Sequence, residues 1–156
     1  MRHRQHPWRD LRVFKDWTVE WVSHLPPGRW GRTLHAEKKI QLVDGMTQAE
    51  RRCTLDHELD HVRHGPASVG PTWEARIDRA SARRLIPIEN LIEGLIRVGN
   101  PYELAEELWV DVPTLLVRLA DLTDEEVARV NDAMADVQTH YPRAETDRDD
   151  LEEPAC

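Results

Sequence analysis

Residues 47 to 66 leave the chain little conformational choice. Thr47 followed by Glu50 is a capping-box pair that starts a helix, and Gly65-Pro66 is a stop, so a helix is predicted from there to about His64. On that helix the stretch "TLDHELDHVRHG" (54–65) carries three histidines and three acids. His57 and His61, four apart, project from one face and can reach a single ion, while Glu58 stands about a quarter-turn round from His57. Leu55, Leu59 and Val62 cluster on the opposite side. A third side carries Arg52, Asp56, Asp60 and Arg63 and reads as the solvent face. The histidine face is neither the apolar stripe nor the charged one.

"HELDH" is an H-E-x-x-H arrangement, and zinc suits it. Imidazole is a good zinc ligand, two such ligands leave room for a third and a water, and the glutamate can take the water's proton. The five-residue pattern also arises by chance on solvated helices, so a third ligand has to decide. The next helix, "PTWEARIDRASARRLI", opened by Pro71 and Thr72 and closed by Pro87, offers candidates. At 100° per residue Glu74, Ile77, Asp78, Ser81 and Leu85 share one face, and Arg76, Arg79 and Arg83 share the other. Arginines belong in solvent, so Glu74 and Asp78 look inward, where an acid needs a cationic partner. Each also has a plainer role: Glu74 as a helix N-terminal acid favoured by the dipole, Asp78 in a salt bridge to a neighbouring arginine. His64 lies seven residues beyond His57, a rise of about 10 Å, too far for one ion to be met by all three histidines. Cys53, four residues before His57, meets the same objection and reads as a packed thiol.

Around this pair the chain is read as short elements. "WTVEWV" (17–22) is a strand broken by "PPG"; "RTLHA" and "KKIQLVD" form a hairpin turning near Glu37 and Lys38. Helices follow at "IENLIEGLIRV", "PYELAEELWV" and "VPTLLVRLADL", the last with Asp111 as N-cap. Thr123 and Glu126 form a second capping box, before an apolar stripe of Val127, Val130, Met134 and Val137. Beyond Tyr141 the sequence is polar, and disorder is expected. Much of the net charge of −8 falls in "ETDRDDLEEPAC" (145–156), which holds six acids and one arginine. No basic stripe offers an electrostatic source for nucleic-acid binding. Two cysteines, neither paired as CxxC nor forming a disulfide framework, point to a reducing compartment. With no apolar leader and no stretch approaching the ~20 apolar residues of a membrane span, a cytoplasmic location is expected and a membrane partner is not.

The stretches "TQAERRCTLDHELDHVRHG" and "EARIDRASARRLIP" together resemble the ImmA/IrrE family of zinc metallopeptidases. That family's pattern is H-E-x-x-H, a short connection, then E-x-x-A-[ND]-x-F-A with a Leu-Leu-Met-Pro-like end. The resemblance covers roughly residues 45 to 90. It implies His57 and His61 as zinc ligands, Glu74 as the third ligand and Glu58 as the catalytic base. Ile77 replaces the usual alanine and Ala80-Ser81 replaces Phe-Ala, so the packing of the second helix should differ.

These readings predict an α+β chain in which a small N-terminal antiparallel sheet packs on a zincin-like helical core, followed by a C-terminal bundle of short helices. Residues 1–100 would form the peptidase-like domain, 101–140 a helical extension resembling a helix-turn-helix, and 141–156 an acidic tail. The function implied is zinc-dependent hydrolysis of a peptide bond in a protein substrate. Family members resemble one another in acting on regulatory proteins such as repressors in bacterial or phage settings. The alternative is a non-catalytic zinc-binding regulatory or interaction module. The oxyanion donor stays open between His35 and His64. Direct DNA reading is disfavoured, since the second helix of the extension carries only Arg118 as a basic residue.

Overall fold

The computed structural model describes residues 6–140, so the disorder expected for 141–156 lies outside the described residues. The elements are α1 (Pro7–Leu11), β1 (Thr18–Val22), β2 (Gly31–Leu34), β3 (Lys39–Val43), α2 (Gln48–His64), α3 (Pro71–Leu85), α4 (Ile88–Arg97), α5 (Pro101–Leu108), α6 (Val112–Ala120) and α7 (Asp124–His140). The α+β layout expected from sequence is present: a small sheet near the N-terminus, then helices. Helix α1 leaves no signature in the sequence, being only five residues long and without a full apolar period.

The sheet is mixed rather than antiparallel. Its order is β1-β3-β2, with β2 antiparallel and β1 parallel to β3. A tight turn, with Lys38 in the left-handed region at φ 49°, folds β2 directly back on β3. That occupies one edge of β3. The connection through Pro26, Pro27 and Gly28 is long enough to leave β1 on the other edge, running the same way as β3. Ile40 and Leu42 make β3 the buried central strand.

Helix α2 lies across the sheet. Its capping box forms as expected, with Glu50 N bonded to Thr47 Oγ1 at 3.2 Å and Thr47 N to Glu50 Oε2 at 2.7 Å. Gly65, at φ 83°, ends it in a backbone region that favours glycine. Leu55 and Leu59 pack on Ile40, Leu42 and Met46, with Trp8, Phe14, Trp17 and Val62 around them. A second core joins Cys53 to Leu85, Ile86, Leu91, Leu104, Leu108, Val110 and Leu115 of the helical half. Helix α2 is therefore covered on two sides, and the histidine face looks along the gap between them.

One expectation is overturned here. Arg52, Asp56 and Asp60 do not form a solvent face: they are 2%, 0% and 2% exposed. The helices after α2 cover that side, and each charge has found a partner as burial demands. Arg52 donates to the carbonyl oxygens of Trp109 (2.7 Å) and Leu85 (3.4 Å), and its guanidinium lies over the Trp109 ring.

Helices α5 and α6 share the second core. Asn100 and Asp111 cap them, and Trp109 breaks the chain between them in the left-handed region at φ 57°. Arg118 is buried, its Nε donating to Ile86 O and its other nitrogens to Glu126. The second capping box, Thr123 with Glu126, starts α7, whose stripe is only partly covered; Val127 stays 40% exposed. No helix among the described residues is long and apolar enough to cross a membrane.

Candidate metal centre

His57 and His61 leave α2 one turn apart and meet Glu74, which α3 delivers from its first turn. His57 Nε2 lies 3.2 Å from His61 Nε2 and 3.1 Å from Glu74 Oε2, and His61 Nε2 lies 3.5 Å from Glu74 Oε1. Each ring is fixed from behind. Asp78 Oδ1 sits 2.9 Å from His57 Nδ1, one turn along α3 from Glu74. Ser68 Oγ sits 3.2 Å from His61 Nδ1 and donates its own proton to Gly65 O at 2.6 Å, so it accepts from the ring.

Asp78 and Ser68 thus engage the two Nδ1 atoms, and both Nε2 atoms are turned towards Glu74. Two Nε2 atoms and a carboxylate converge within hydrogen-bond distance of one another, so that either a proton shared with Glu74 or a cation between them would hold the group together. A tetrahedral zinc with bonds of about 2.0–2.1 Å spaces its ligand atoms about 3.3–3.4 Å apart, near the 3.2 Å between the two Nε2 atoms and the 3.1 and 3.5 Å from them to the two different oxygens of Glu74. The three residues could hold such an ion. The carboxylates also draw a proton to His57: burial opposes its charged form, but the Asp78 hydrogen bond and the charges of Glu58, Asp78 and Glu74 outweigh that and raise its pKa to about 9. A metal bound there would have to displace the proton from Nε2.

Glu58 stands beside the cluster, 6% exposed, its Oε2 accepting from Thr33 Oγ1 at 2.6 Å. Burial pushes its pKa up, with His57, Thr33 and His61 pulling the other way. Strand β2 comes very close at Gly31, where a Cβ would fall 2.6 Å from Thr54 Cγ2 and 2.7 Å from Glu58 Oε1. Only glycine lets the strand approach so nearly.

A cleft of about 820 Å³ opens over the group, bordered by β2 on one side and by the start of α6, with Asp111, Pro113 and Thr114, on the other. Glu74 and Asp78 face this cleft with side chains 45% and 47% exposed, so their inward face is a wet one. His35 lines the cleft, its ring edge-on to Trp17. His64 does not join the cluster: it is exposed and packs on Trp73. Cys53 is a packed thiol as expected, pushed up to about 11 by burial and accepting from Asp111 N. Asp78 is neither paired with an arginine nor in the group of three.

No family model, curated protein or solved structure matches this chain. What the site can do is read from its own atoms. Sequence reasoning missed Ser68, Thr33 and Gly31. A small hydroxyl residue in the connection after the second histidine was a weak signal for Ser68; nothing local distinguished Thr33 or Gly31, which matter only once the sheet lies on α2.

Proposed function

We propose that this chain is a zinc-dependent metallo-endopeptidase of the ImmA/IrrE kind, hydrolysing a peptide bond in a protein substrate. The observation that carries the proposal is the convergence of His57 Nε2, His61 Nε2 and Glu74, with each histidine held by its other nitrogen and Glu58 buried alongside. His57, His61 and Glu74 would hold the ion. Bound zinc supplies a water of lowered pKa and polarises the scissile carbonyl. Glu58 would act as the general base and then the proton donor to the leaving amine, with its carboxylate held by Thr33. His35, at the cleft wall, is better placed than His64 to donate to the oxyanion.

Strand β2 is an edge strand, and it borders the cleft. Its unpaired backbone groups suit an extended peptide segment. The choice of a regulatory protein such as a repressor as substrate rests on the family resemblance. A structural zinc site usually closes with four protein ligands. Here the cluster offers three and opens on a cleft, which supports catalysis over a non-catalytic zinc module. The guanidinium of Arg118 is engaged with Ile86 and Glu126, which leaves the helix-turn-helix-like pair without its basic reading residue.

Metal analysis and co-expression with candidate repressor proteins test the proposal. The purified protein should carry about one zinc, His57→Ala should lose it, and Glu58→Gln should keep it while abolishing cleavage. Unchanged zinc in His57→Ala, or undiminished cleavage by Glu58→Gln, would contradict the proposal.

A further inference from the structure

Glu74 and the two histidines stand on different helices, so the metal centre is only as well formed as the packing of α3 on α2. Two of the residues that make that contact are immediate neighbours of the histidines. Asp56 precedes His57, Asp60 precedes His61, and both carboxylates are buried under α3. Arg84 of α3 reaches both. Its Nε and Nη2 lie 3.1 and 2.8 Å from Asp56 Oδ2, and the same Nη2 lies 2.7 Å from Asp60 Oδ2. Ser81, one turn earlier, donates to Asp56 Oδ2 at 2.7 Å. On the other side Asp60 takes Arg63 at 2.7 Å, and Arg63 reaches Asp10 of α1 at 3.2 Å. Charges of alternating sign therefore run through three helices beneath the histidine face.

We infer that Arg84 is a positioning residue of the metal centre: forked between Asp56 and Asp60, its guanidinium sets the register of α3 on α2 and so the separation of Glu74 from His57 and His61. The inference rests on the zinc reading of the site. Stability alone is a poor reason for such a cluster, because well-packed apolar side chains of similar volume often hold two helices as firmly as a buried ion pair. Direction is what the charges add. A guanidinium has donors in a fixed plane and matches two carboxylates in one arrangement, whereas an apolar contact tolerates sliding. Helix α3 then acts as a lever. Arg84 pins it at one end, and Glu74 hangs ten residues away at the other, about 15 Å along the axis. Asp78, which holds His57, lies between them.

The test compares wild type, Arg84→Lys, and an apolar triple variant, Arg84→Met with Asp56→Leu and Asp60→Leu. Three readouts are taken: zinc affinity by competition with a chromophoric chelator, the visible absorption of the cobalt-loaded protein, and the melting temperature of the metal-free protein. Arg84→Lys keeps the charge but loses the second donor on Asp56 and the fixed plane that orients both; zinc affinity should fall about tenfold or more, with a changed cobalt spectrum. The triple variant should melt near wild type yet show the same loss. Wild-type zinc affinity and cobalt spectrum in a folded triple variant overturn the inference; should the triple fail to fold, the same result in Arg84→Lys overturns it. If wild type itself binds no zinc, the zinc reading falls first and the inference with it.

Discussion

Asp78 Oδ1 lies 2.9 Å from His57 Nδ1, while Nε2 of the same ring faces Glu74 at 3.1 Å. One ring thus joins two acids of one helix face to different ends of its proton chemistry. Asp78 orients the ring from Nδ1; Glu74 faces Nε2. Removing such an orienting carboxylate typically costs 10–100-fold in metal affinity. Asp78→Ala should lose zinc affinity by about that factor, and Asp78→Asn, which retains an acceptor oxygen, by less. Competition titration measures both; unchanged affinity in Asp78→Ala would remove Asp78 from the site.

Ser68 plays the corresponding part for His61 through a neutral hydrogen bond. Ser68→Ala should weaken zinc binding by on the order of 1 kcal/mol, about fivefold, a smaller effect than Asp78→Ala. An effect larger than that of Asp78→Ala would reverse the ranking of the two supports.

Gly31 and Thr33 bear on Glu58 without touching the group of three. A methyl at Gly31 meets Glu58 Oε1 and Thr54, and Thr33→Val removes the hydroxyl that holds Oε2. Both variants should keep zinc while slowing cleavage at least about tenfold, within what a positioned general base contributes. Loss of zinc in step with activity would instead mean that β2 supports the metal.

Glu126 provides a pH test remote from the cleft. Arg118's hydrogen bonds hold its carboxyl down to about 2, against an ordinary 4.5. Because the folded pKa is the lower one, the stabilisation is full above pH 4.5 and is lost as pH falls towards 2. Glu126→Gln should therefore melt below wild type at pH 7, with the gap closing between about pH 4.5 and 2. A gap that is constant across that window would mean the carboxylate's charge contributes nothing.

The helix starts at Thr47, Asp111 and Thr123 were legible because a cap is a local bond between residues three apart. His57 and His61 were legible too, since helical spacing puts both on one face; Glu74 shared its face with Asp78, and only the family resemblance singled it out. Burial of the third side of α2 was not. Asp56 and Asp60 look like solvent residues until Arg84, 24 or more positions away, is known to cover them. The role of Asp78 was hidden for the same reason: the helical wheel turned it inward but could not separate the acid facing Nε2 from the acid facing Nδ1. The parallel pairing of β1 depends on which edge of β3 stays free, a choice that no local pattern encodes.

X-ray absorption at the zinc edge of the zinc-loaded protein tests the central claim most directly. The account predicts one zinc with two imidazole nitrogens and the remaining ligands oxygen, at about 2.0–2.1 Å, with no sulfur and with one oxygen from water. A site closed by four protein ligands, a sulfur shell at about 2.3 Å, or zinc that keeps only solvent oxygens would contradict it.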